Sequence, residues 1–174
     1  VAEERRFSVD NDNDGAQWEA LLSLMFQAHP YRDPVVGWME DIQHLSQDQL
    51  QSWYERCYAP ANALIVLAGD VEKGAALSAM EGAFGGLEPG EPAEHPRWNE
   101  PEQEGKRSAE LHRPAGQVSI VVGYVGPAAS HPQLPSLELL DYVMSGGRSS
   151  LLVDDLVHRD VVLTDVSTTL IPLD

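Results

Sequence analysis

The chain has 174 residues and sets 11 Lys and Arg against 28 Asp and Glu, a formal charge of −17. So acidic a surface excludes a nucleic-acid backbone or an anionic membrane as the natural partner, because both would repel it. A 43% hydrophobic share predicts a folded chain, and the lone cysteine, Cys57, excludes an internal disulfide framework or a multi-cysteine zinc site. No run reaches the roughly 18 apolar residues that a membrane span needs.

In chain order, Glu3-Glu4-Arg5-Arg6-Phe7 reads as the tail of a helix running into an Asp/Asn block, Asp10 to Asp14, closed by Gly15. A second helix carries Trp18, Leu21, Leu22, Met25 and Phe26 on one face and should end at His29-Pro30. After a loop through Tyr31, Pro34 and Gly37, a short amphipathic segment surrounds Trp38, Met39 and Ile42. Ser46 with Gln49 three residues on is a capping-box pattern, and the helix it starts should turn Leu50, Trp53, Tyr54 and Cys57 inward. Asn62 to Ala68 is a short apolar run of the kind found in strands buried on both faces. Gly69-Asp70 then leads into a helix with a stripe of Ala76, Ala79, Met80, Ala83 and Phe84.

From Gly85 to Gly105, Pro89, Pro92, Pro96 and Pro101 alternate with Gly and Glu, which predicts an extended acidic linker. Beyond it come a strand pattern at Val118–Val125 and a helix through Leu137, Leu140 and Met144 that stops at Gly146-Gly147. A further helix follows, capped by Ser149 or Ser150, and then a strand-like run from Val161 to Ile171. Val1 falls in a helical pattern and Asp174 in a strand-like one, so the sequence reads as a piece of something longer.

Local motifs name no active site. Asp10-x-Asp12-x-Asp14-Gly15 matches the first half of a calcium loop, but the twelfth position, which needs a bidentate Glu, is Leu21. A solvated acidic turn is therefore expected there. The six histidines, His29, His44, His95, His112, His131 and His158, include no pair three to five residues apart that could grip a metal from one helix face. No Gly-x-Ser-x-Gly elbow occurs, and Gly146-Gly147-Arg148-Ser149 lacks the ending of a phosphate loop. Cys57 on an inward helix face would be a small core residue.

Three stretches taken together carry a resemblance. The main one runs from His29-Pro30-Tyr31 through Pro34, Gly37-Trp38, Asp41-Ile42, Leu45-Ser46 and Trp53-Tyr54 to Tyr58-Ala59-Pro60-Ala61-Asn62-Ala63 and Gly69-Asp70-Val71. The others are Val1 to Arg6, and Gly123-Tyr124-Val125-Gly126-Pro127 with Leu137 to Leu151. This ordered set resembles the pitrilysin/insulinase/mitochondrial-processing-peptidase family of zinc peptidases, the inverted zincins, across most of the chain.

The resemblance implies a zinc-dependent metallopeptidase acting on peptides or unfolded segments. Members hold zinc through a helical His-x-x-Glu-His and a carboxylate on a following helix, and by register that carboxylate is Glu4, with Glu3 as its neighbour. Without the register, a Glu-Glu-Arg-Arg run is usually just a solvated helix end. No His-x-x-Glu-His occurs, so no catalytic residue is assigned within the chain, which by itself should be inactive and hold no zinc. The family's substrate-holding Arg and Tyr positions fall on Val157 and Thr164, neither of which can supply the same hydrogen bond. That implies a paired, non-zinc family subunit supplying those groups.

The expected fold is α+β, each domain a mixed sheet with helices packed on one face. Residues 1–84 would be the second part of a zinc-site domain, 85–105 the linker, and 106–174 the first part of a second domain. The main alternative is a non-catalytic structural or substrate-presenting subunit of such a peptidase. A single cysteine is compatible with bacterial periplasm and cytoplasm alike.

Overall fold

Local chemistry sets most of the helix boundaries. The computed structural model describes residues 1–92 and 97–173, so the predicted His95 and Pro96 lie outside the described residues. Helix α1 (Ala2–Arg5) widens into a π-helical turn over Arg6–Asp10, closed by Asn11 N–H donating to Arg6 O at 2.8 Å. Asp12 then caps α2 (Asn13–Met25), its carboxylate accepting from Gly15 N at 2.6 Å. The acidic block thus serves as a helix start.

Helix α2 stops at Met25, short of the predicted His29-Pro30, because Phe26 turns to extended backbone and is buried against the rings of His29 and Tyr31. A 3₁₀ turn (Pro30–Arg32) leads to α3 (Met39–His44). The capping box forms as the sequence indicates: Ser46 Oγ accepts from Gln49 N at 3.3 Å, and Gln49 Oε1 accepts from Ser46 N at 2.8 Å, opening α4 (Gln47–Cys57). Helix α5 (Lys73–Phe84) is capped by the Glu72 carboxylate, which accepts from Gly74 N at 3.0 Å and Ala75 N at 2.7 Å. Those two bonds outweigh a small desolvation effect and hold the Glu72 carboxyl below its ordinary value.

The chain divides into two compact units, Val1–Gly123 and Tyr124–Asp174. In the first, residues 107–123 run along α2 and back. Arg113 donates to the carbonyls of Val9 at 3.3 Å, Asp12 at 3.2 Å and Asp10, and Asn13 Nδ2 donates to Pro114 O at 2.9 Å. On the return arm, Gln17 Nε2 donates to Ser119 O at 3.1 Å, and Gly123 lies so close to Leu21 and Met25 that a Cβ would collide with the Met25 sulfur. In the second unit, α6 (Leu134–Ser145) ends at Gly146, as predicted, and a π-helical turn spans Val153–Arg159. Thr168 closes onto the end of α6, its N–H donating to Ser145 Oγ at 2.7 Å and its hydroxyl to Asp141 O at 3.1 Å.

The expected α+β fold with mixed sheets is not what the structure shows. Among the described residues the regular structure is helical, with no strand and no sheet. The apolar runs at 63–68 and 118–125 are extended and open to solvent, Leu64 at 88% and Val118 at 90% exposure. A strand exists only where a neighbour completes its ladder; among the described residues the backbone bond to these runs is the local turn from Ala63 N to Pro60 O at 3.1 Å, and no ladder forms. Alternation and apolarity in these runs specify an extended chain but supply no partner. The predicted inward face of α4 also fails: Leu50, Trp53 and Tyr54 are exposed, while Cys57 is half-buried. Its aromatics find partners along their own surface instead, Trp53 beneath the Arg56 guanidinium at 5.1 Å and Tyr54 stacked on Tyr58 at 4.9 Å.

Candidate functional site

The residues singled out for metal binding sit on α1, and their neighbour Arg5 decides how they point. Among the described residues Arg5 is the buried charged one, 6% exposed. Its guanidinium grips both oxygens of Glu19 on α2, with Nη2 3.0 Å from Oε1, and its Nε donates to Asp10 Oδ1 at 3.2 Å. Nη1 also donates to Gly37 O at 3.3 Å, a carbonyl presented by a turn that only glycine adopts readily, φ 84°. The guanidinium carbon lies 5.5 Å from the centre of the Trp38 ring. Hydrogen bonding to Glu19 outweighs desolvation and, with the charges of Glu19 and Asp10, holds Arg5 above its ordinary pKa.

With Arg5 turned inward, the preceding side chains of this single-turn helix, Glu3 and Glu4, face solvent. They differ in what holds them. The Glu3 carboxylate is ion-paired with Arg6, one turn on. Around Glu4, the interaction present is through its backbone carbonyl, which accepts from Ser8 Oγ at 2.7 Å. The Glu4 carboxylate is therefore the one left available on this helix.

Among the described residues no three His, Cys, Asp or Glu side chains come together as a metal site, so the residues present do not by themselves fit a zinc centre. His29 is engaged locally, its Nδ1 accepting from Tyr31 N at 3.3 Å, and His44 Nδ1 lies 2.8 Å from Glu40 O. His112, His131 and His158 are exposed. Val157 is half-buried in the π-helical turn of the second unit, and Thr164 is exposed just beyond it.

Sequence reasoning missed Arg5, Glu19 and Arg113. An arginine inside a Glu-Glu-Arg-Arg run looks solvated, and its partner lies 14 residues away. The available signal was Glu19 itself, a carboxylate beside Trp18 near the apolar side of α2.

Residues 44–170 match the family described as "Peptidase M16 inactive domain". The zinc protease PqqE of Helicobacter pylori is 30% identical over 164 residues, covering 91% of this chain and 36% of that protein. An uncharacterized zinc protease of Mycobacterium leprae is 28% identical over 149 residues, covering 84% of this chain and 34% of that protein. A crystal structure of a protease from Helicobacter pylori superposes with a TM-score of 0.82 at 25% identity, over 99% of this chain and 42% of that one. The chain therefore spans about a third of the length of these curated relatives.

Proposed function

Because the chain belongs to the peptidase M16 inactive-domain family, we propose that it forms part of a zinc-dependent metallopeptidase that hydrolyses peptide bonds in peptides or unfolded segments. Glu4 contributes one zinc ligand in the parent protein; the other ligands come from a His-x-x-Glu-His segment that this sequence does not contain. The observation that carries the assignment is the contrast on α1: Glu3 is neutralised by Arg6, whereas the Glu4 carboxylate stands free on a helix anchored by its neighbour Arg5. With no group of three metal-binding side chains among the described residues, the chain alone is inactive.

The exposed surface supports a life among further protein. In the first unit large apolar side chains stand open to solvent, Leu64 at 88% and Val118 at 90% exposure. Val66 and Ile120 are likewise exposed there, and Tyr124 is exposed in the second unit. Neighbouring exposed apolar side chains of this kind mark surface meant to be covered by protein. We assign part of it to the rest of the parent and part to a paired, non-zinc subunit, which supplies the Arg and Tyr missing at Val157 and Thr164.

The zinc content of the full-length protein tests the ligand. Glu4→Gln should lower it well below one ion per chain, while Glu3→Gln should retain it. Unchanged zinc in Glu4→Gln would remove Glu4 from the site. A second reading, a non-catalytic subunit that presents substrate, is favoured by the matched family being the inactive domain. Full-length protein without zinc that nevertheless raises the activity of a zinc-bearing partner would establish that alternative.

A further inference from the structure

The acidic, proline-rich stretch reads as a spacer, yet its last part, with the two residues that follow it, is tied down at both ends. Where α2 finishes, the chain leaves carbonyls on one side and amides on the other without helical partners. Glu100 from the stretch and Arg107 just beyond it take up groups of both kinds. Arg107 Nη1 donates to Leu24 O at 2.7 Å and Met25 O at 3.2 Å, a cation on the carbonyl end of the helix. The Glu100 carboxylate accepts from three consecutive amides, Gln27 N at 2.6 Å, Ala28 N at 2.8 Å and His29 N at 2.7 Å. The charges are matched to what they meet, anion to N–H and cation to C=O, and hydrogen bonds of this kind are the stronger class.

Between the two anchors the chain arches over an open hollow of about 390 Å³, lined by Gln27, Pro101, Glu102, Glu104, Gly105, Lys106 and Arg107. Gln103 Nε2 donates to Gly105 O at 2.7 Å, bracing the arch from within. The segment so held leads directly into the turn at Pro30, where the rings of His29 and Tyr31 close over buried Phe26.

We propose that residues 100–107 are a strap rather than a flexible spacer, with Glu100 and Arg107 as a two-point clasp that fixes the exit of α2 and the 27–31 turn. Neither anchor suffices alone. Each holds one side of the same chain reversal, so releasing Glu100 should loosen the Arg107 end and releasing Arg107 should free the amides under Glu100.

Hydrogen exchange and limited trypsin digestion of the intact chain test this. In Glu100→Ala the amides of Gln27, Ala28 and His29 should exchange on the order of tenfold faster or more, and cleavage after Lys106 and Arg107 should rise in parallel. In Arg107→Ala the same three amides should also exchange faster, although their acceptor is untouched; a local hydrogen-bond loss would not produce that. Amide protection in α4 serves as the folding control. Should it fall in Glu100→Ala, Glu100→Gln decides, since it keeps the shape and one acceptor oxygen while removing the charge. Unchanged exchange at 27–29 in the decisive Glu100 variant, or unchanged exchange there in Arg107→Ala, would overturn the clasp.

Discussion

Replacing Arg5 by alanine is the sharpest perturbation the first unit offers. The substitution removes the fork that holds Glu19, the bond to Asp10, the bond to Gly37 O and the stack on Trp38, and it leaves the Glu19 side chain, 16% exposed, without its cation. Breaking one side of a deeply buried ion pair costs about 3–5 kcal/mol. Here Asp10 is 37% and Trp38 40% exposed, so water can reach the rim of the network. The expected loss is therefore nearer about 2 kcal/mol, in the range of hydrogen bonds to charged groups. For a unit of this size that lowers Tm by roughly 8 °C.

Urea denaturation followed by tryptophan fluorescence measures the loss, since the four tryptophans, Trp38 at the site among them, all lie in the first unit. Arg5→Lys should recover only part of the stability, since an ammonium keeps the charge but neither the bidentate fork nor the planar stack. A double-mutant cycle with Glu19→Gln should show coupling of about 1 kcal/mol or more. Additive effects, or an Arg5→Ala loss under about 0.5 kcal/mol, would refute the view that this network anchors α1.

Two other caps give independent checks. Ser46→Ala removes half of the capping box and should cost about 1 kcal/mol of stability, with faster amide exchange confined to the first turn of α4; Ser46→Asp should restore most of it. Glu72 makes α5 sensitive to acid. Its folded-state pKa lies below the ordinary 4.5, so the stabilisation is complete above that value and is lost as pH falls through the lower folded-state value. Protection factors at Gly74 and Ala75 in the wild type should fall as pH is lowered through the folded-state value, approaching those of Glu72→Gln at pH 7. Wild-type protection that follows the same course with pH as that of Glu72→Gln would contradict the cap.

What the sequence made legible was short-range. Ser46 and Gln49 could be read as a cap because both partners lie within one turn, and Gly146 could be read as a helix stop for the same reason. Arg5 could not, because Glu19 and Gly37 lie 14 and 32 residues away and nothing in a charge run distinguishes an inward arginine from a solvated one. The runs at 63–68 and 118–125 were extended and apolar as expected, but the sheet assigned to them depended on neighbours that local pattern cannot name. Glu4 was singled out only by its register in an ordered family signature. The pairing of Glu3 with Arg6, which separates the two glutamates, was visible in principle as an i,i+3 contact.

The tie from Glu100 back to Gln27 spans 73 residues, and everything from the 3₁₀ turn at Pro30 to α5 lies inside the loop it closes. Entropy of loop closure grows only with the logarithm of length, about 0.6 kcal/mol for each doubling. Residues added between α4 and α5, or after α5, would therefore barely weaken the tie. The short arch from Glu100 to Arg107 has no such tolerance, because one residue more or fewer moves an anchor off its target. Natural and engineered length variation should accordingly collect inside the enclosed loop and avoid the arch.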